Sequence, residues 1–204
     1  MQKITHLIST MVLLAALAIV GAGCSRSAKE ARALERANRY FDSGQYDKAE
    51  VEYINVARLD RQNAQAFGRL GTIYAEQGRL GRALPALLRA RDLTPTNTEV
   101  RLKLGLIYLT AGKLKEARDE AAFVLDRKPQ DEDAPLLLAD AAVAPEEIAQ
   151  ARQRLQKLVL PDAKRAPCEV ALGMLDLRAG DAKAAEASLK RAQSLDPKLS
   201  AVYS

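Results

Sequence analysis

Three tyrosines, Tyr40, Tyr74 and Tyr108, stand 34 residues apart, and much of the chain keeps their period. Gly44, Gly78 and Gly112 follow each tyrosine by four residues, and Ala49, Ala83 and Ala117 follow each glycine by five. Two periods after the third set, the register returns with Gly180 and Ala185. A period of this length does not describe one closed core. Each unit buries its apolar face only against its neighbours, so the chain must fold as a stack. The units are helical: the chain is 48% apolar, only 4% aromatic and without Trp. Leu and Ala, mixed with Arg, Glu and Lys, lose little rotamer freedom in a helix. No run of alternating β-branched residues argues for a sheet. The class is all-α.

Counted from Glu30, the units are 30–63, 64–97, 98–131, 132–165 and 166–199, with a sixth begun at 200–204. The second runs Phe67, Leu70, Gly71, Tyr74, Gly78, Ala83, Leu87, Ala90, Leu93 and Pro95. The third has Leu104, Gly105, Tyr108, Gly112, Ala117, Val124 and Pro129 at equivalent places. The pattern closely resembles the tetratricopeptide repeat (TPR), which implies a right-handed superhelical solenoid of five helix–turn–helix units. Gly71 and Ala83 are small where two helices cross, Gly78 ends one helix, and Pro95 and Pro129 end the second of each pair. Three units depart from the pattern. Pro85 is expected to kink or shorten the second helix of its unit. The fourth unit, with Ala139, Ala142 and Glu146 at the signature positions, is expected to keep its register through Ala151 and Leu155 with a remodelled turn. In the fifth, Asp176 replaces the tyrosine and marks either lost packing or a polar contact.

The N-terminus reads as an address. Lys3 opens a positive region, Leu7 to Val20 is apolar apart from Ser9 and Thr10, and Gly21, Ala22, Gly23 and Cys24 follow. The apolar stretch is short for a membrane span and ends in small residues, as a cleaved signal peptide over 1–23 would. Small residues leading into a cysteine resemble a bacterial lipobox, which implies that Cys24 is acylated and that 24–29 form a short tether. Ser25 after the cysteine resembles outer-membrane lipoproteins, which face the periplasm. With Cys24 acylated, Cys168 has no disulfide partner and reads as a buried, inert thiol.

In the TPR family the third, seventh, tenth and fourteenth positions of a unit pack on the preceding unit. These are Val100, Leu104, Ile107 and Ala111 in the third unit, but Arg32, Arg36, Arg39 and Ser43 in the first. The first unit is therefore a basic N-terminal cap, here Arg32, Arg36 and Arg39, either solvated or resting on an anionic membrane surface. At the other end no polar helix covers Ala185, Leu189 and Ala192. Either the array continues beyond Ser204, or a partner or a second copy covers that helix, so self-association is one expectation.

The resemblance also assigns a ligand groove to the concave face. Its candidate residues are Leu34, Asn38, Arg69, Thr72, Leu102, Lys103, Leu106, Leu136, Val170 and Met174, with Arg178 on the rim. An apolar groove with basic rim points suits a protein or peptide segment; the alternative is that its leucines only pack within a tight superhelix. Catalysis has little support: His6, the only histidine, lies in the signal segment, and the glycines are 34-periodic rather than a phosphate loop. No metal or cofactor is expected. After 1–23 the chain has 30 basic and 26 acidic residues without a basic block, which gives nucleic-acid binding no support. The expectation is a non-enzymatic, membrane-anchored scaffold for a cell-envelope secretion, pilus or exopolysaccharide system. The alternative is a subunit that binds polysaccharide or cell-wall strands.

Overall fold

Residues 26–197 are described by a computed structural model, and they form ten α-helices with no β-strand among them. In order these are α1 (26–42), α2 (Tyr46–Leu59), α3 (Ala64–Glu76), α4 (Leu80–Leu93) and α5 (Thr98–Thr110). They continue with α6 (Leu114–Arg127), α7 (Ala134–Asp140), α8 (Pro145–Gln156), α9 (Ala166–Arg178) and α10 (Ala182–Leu195). The expected signal peptide, Cys24 and residues 200–204 lie outside the described residues. Residues 26–29, expected as tether, are instead the first turn of α1.

The period has a local cause at each turn. Gly44, Gly78, Gly112 and Gly180 all sit at φ between 70° and 81°, the left-handed region. Each closes the same way: the N–H after the glycine donates to the carbonyl of the tyrosine position, as Arg79 to Tyr74 and Lys113 to Tyr108, both 2.8 Å. The glycine N–H donates three residues back, as Gly78 to the Ala75 carbonyl at 2.9 Å. These two bonds satisfy carbonyls that the helix end would leave orphaned. A cation lies over each ring of the tyrosine ladder, Lys48 over Tyr40, Arg79 over Tyr74 and Lys113 over Tyr108, at 5.5, 4.6 and 5.9 Å.

The helix starts carry a second, less conspicuous ladder. Asn63 and Asn97 cap α3 and α5 by accepting from the N–H groups of Ala66 and Val100 at 3.0 and 3.1 Å. One period on, Asp131 accepts from Ala134 at 3.0 Å ahead of α7. Where the period next falls, Arg165 offers no cap to α9.

Helices α3 and α4, α5 and α6, and α9 and α10 form the tight antiparallel pairs. Glycine permits this closeness: a Cβ on Gly71 would lie 2.4 Å from Leu87 Cγ, and one on Gly173 would lie 2.9 Å from Leu189 Cγ. Two runs of core result, one from Ala33 to Ile107 and one from Ala117 to Leu175, and Tyr108 packs against both. Pro85 neither breaks nor shortens α4, which at 14 residues matches α2 and α6.

The fourth unit is more altered than its periodicity suggests. Helix α7 has only 7 residues. Helix α8 starts at Pro145, three residues ahead of where the period from Leu114 would place it. Ala151 and Leu155 are buried as expected, yet α7 packs less on α8, its own pair, than on α6 and α9 to either side.

Candidate interaction surface

The first helices of the units, α3, α5, α7 and α9, touch in succession and build one face of the array. That face changes character along its length. In its N-terminal half it is polar and internally satisfied. Asn38 Oδ1 accepts from Tyr53 Oη at 2.8 Å and from Gln65 Nε2 at 3.2 Å. Burial pushes the Tyr53 phenol up to about 12, which keeps it a donor. The Arg69 guanidinium lies 4.5 Å over the Phe41 ring and pairs with Glu99 at 3.3 Å, while Lys103 pairs with Glu76 at 2.9 Å. These two ion pairs strap α3 to α5 beside a shallow depression of about 350 Å³ lined by Gln65, Gly68, Arg69, Thr72 and Glu99.

The C-terminal half is apolar. Leu102, Leu109, Leu136 and Met174 are half-buried against the second core run. Leu106 on α5 and Leu177 on α9 protrude, with 41% and 57% of their surface exposed, and Val143, in the turn that follows α7, is also exposed. Of the ten groove candidates, Leu34 and Thr72 are half-buried and Val170 is misassigned: it is fully enclosed. The short α7 lets α9 close on it, so the position that faces a groove elsewhere becomes core in the fifth unit. Leu177, at the twelfth position of its unit, was missed; Val143, at the same position of the fourth unit, lies beyond the short α7 in the turn. The twelfth position belongs to the concave set, so the repeat register alone could have found Leu177.

The basic rim does not exist as expected, because Arg69 and Lys103 are paired and Arg178 holds the remodelled turn. Its guanidinium donates to the Ala142 carbonyl at 2.7 Å and to the Ala139 carbonyl, both on fully buried residues. From the other side, Arg118 donates to the Ala141 carbonyl at 2.6 Å and pairs with Glu147. Glu147 accepts from the Ala144 and Val143 N–H groups at 3.0 and 3.1 Å. Those bonds, with Arg118, hold its carboxyl below the usual carboxylate range. Two arginines and a glutamate thus replace the missing turn glycine.

Asp176, at the tyrosine position, is a polar contact. It is buried, pairs with Arg152 from α8 and accepts from Ser188 Oγ at 3.3 Å. Cys168 is buried, and burial pushes its thiol up to about 11, as an inert cysteine requires. In the basic cap, Arg36 is neutralised by a bidentate pair with Glu52 at 2.9 and 2.8 Å, and Arg39 lies 3.8 Å from Glu35. Arg32 is exposed. No group of three His, Cys, Asp or Glu side chains that could hold a metal occurs among the described residues, and none of their helices is long and apolar enough to cross a membrane.

Residues 34–98 and 170–199 each match a tetratricopeptide repeat family model. Solved structures extend the likeness to the whole array. MamA, residues 41 to the end, from Desulfovibrio magneticus RS-1 superposes with a TM-score of 0.69 at 21% identity, covering 83% of this chain and 96% of that one. A tetratricopeptide repeat protein from Parabacteroides merdae gives 0.69 at 19% identity, covering 83% and 67%. YrrB, described as a TPR protein with an unusual peptide-binding site, gives 0.67 at 16%, covering 84% and 89%. No curated protein matches the chain. At these identities the structures establish the fold, an all-α solenoid of TPR type. That fold suggests a protein–protein interaction scaffold.

Proposed function

We propose that the chain is a lipid-anchored scaffold whose inner face holds a segment of another protein of the cell envelope. The observation that carries this reading is the protrusion of Leu106 on α5 and Leu177 on α9 from a face whose other apolar residues are tucked into the core. Exposed apolar side chains grouped on one face of a stack mark a docking site for an amphipathic helix or extended strand. Acylation at Cys24 would tether the array to the outer membrane, facing the periplasm. There it would act as an assembly or accessory factor for a secretion, pilus or exopolysaccharide system. Direct binding of polysaccharide has less support, since Phe41, the aromatic ring of the inner face, is covered by Arg69.

Two measurements test this reading separately. Leu106→Glu combined with Leu177→Glu is expected to abolish co-purification of the partner from solubilised membranes while the helical CD spectrum is unchanged. Unchanged partners would remove the inner face as the binding site. Metabolic labelling with an alkyne fatty acid is expected to mark the wild-type chain and not Cys24→Ser. Equal labelling of both would remove the anchor.

A further inference from the structure

Among the described residues most arginines are matched by a carboxylate, and three of the unmatched ones share one depression. Arg58, Arg61 and Arg89 are exposed and ring a shallow depression of about 530 Å³ floored by Ile54, Ala57, Phe67 and Leu70. None has an ion-pair partner among the described residues; Arg89 donates only to the Arg61 carbonyl, at 3.0 Å, and lies 6.0 Å over Phe67. Arginines in the last turn of a helix are common because they complement its dipole, but those of the later units are engaged. Arg91 meets Glu120 and Asp92, Arg154 meets Asp126, and Arg127 stacks 3.6 Å over Phe123. Arg58 is the last-turn arginine of α2 and has no such partner. The nearby Asp60 carboxylate is engaged by the Gln62 N–H at 2.8 Å.

The same edge receives the N-terminus. Arg26 Nε donates to the Leu59 carbonyl at 2.9 Å, which pins the start of α1 to the end of α2, beside Arg58 and just ahead of Arg61. Cys24 precedes Arg26 by two residues, at most about 8 Å of chain. We propose that this edge, formed by Arg26, Arg58, Arg61 and Arg89 around the apolar depression, is the membrane-contacting surface of the array and binds anionic phospholipid headgroups. The proposal rests on the lipid-anchor reading. A tether this short holds Arg26, and the end of α2 bonded to it, close to the bilayer, and attraction to anionic lipid is screened only over a Debye length of ~8–10 Å. The apolar floor accepts the upper part of an acyl chain while the guanidinium groups hold phosphate. The paired Arg36 and Arg39 are then structural.

The test uses the full chain in vesicles of phosphatidylcholine with or without phosphatidylglycerol. A fluorophore is placed at Gln62→Cys on this edge or at Lys115→Cys on α6, and a nitroxide lipid serves as headgroup quencher. The buried Cys168 takes no label, and label uptake at Cys24 would itself contradict acylation there, separately from the edge. Quenching is expected at residue 62 in anionic vesicles and not at residue 115. Arg58→Gln and Arg61→Gln are expected to lower the preference for anionic over neutral vesicles about fivefold each, with the helical CD spectrum retained. Equal quenching at both sites on vesicles that hold the chain, or an unchanged preference in the double variant, would overturn the proposal.

Discussion

Gly71→Val is expected to cost about 3 kcal/mol or more, enough to threaten folding of the whole array. The position allows no relief. A Cβ there would sit 2.4 Å from Leu87 Cγ and 3.2 Å from the Leu87 backbone nitrogen, and Leu87 is fully buried. Moving the backbone of α4 away from α3 would reopen a pair whose neighbours on both sides are stacked on it. In a solenoid each unit contacts only the next, so loosening the second unit also weakens the two interfaces beside it. Gly81 provides the contrast. Its Cβ would meet nothing within 4 Å and it lies inside α4, so Gly81→Ala is expected to stabilise by roughly 0.5–1 kcal/mol. Urea denaturation of both variants followed by CD checks the pair, and equal midpoints would contradict the packing argument.

Arg178→Ala is expected to lower stability by about 1–3 kcal/mol, because it strips the partner from the Ala142 carbonyl, on a buried residue, and one donor from the Ala139 carbonyl, which keeps the Ala142 N–H at 3.2 Å. Arg178→Lys is expected to recover only part of this, since one ammonium on a flexible stem does not reproduce the planar fork that spans both oxygens. The prediction separates two roles for one residue. As a rim residue of a groove, Arg178 could be removed without loss of stability. As the clamp of the remodelled turn it cannot, and thermal unfolding of the purified chain distinguishes the two.

The repeat was legible because its causes are local. Gly78 and Gly112 sit at φ values that glycine adopts without strain, and Gly71 lies where only a hydrogen fits, so sequence period and structural period share one origin. The cap ladder of Asn63, Asn97 and Asp131 was equally local, and lay in the sequence at the same spacing. The face of Val170 and the task of Arg178 were not legible. Both follow from how far α7 runs and where α9 settles against it, and these are tertiary outcomes that no local pattern encodes. The basic stripe of the first unit misled for a related reason: Arg36 finds Glu52 across a helix pair, 16 residues away, and its charge is matched there. Charge matching decides which arginines remain open to other molecules, and it depends on neighbours that a helical spacing does not name.

The central claim is that the inner face, in its C-terminal half, holds another protein. The most direct measurement is photo-crosslinking in intact cells, with a benzophenone amino acid placed in turn at Leu106, Leu177 and the exposed Lys115 on α6. The account predicts one discrete protein adduct shared by residues 106 and 177 and absent at 115. No adduct at either inner-face position, or the same adduct at all three, would contradict it.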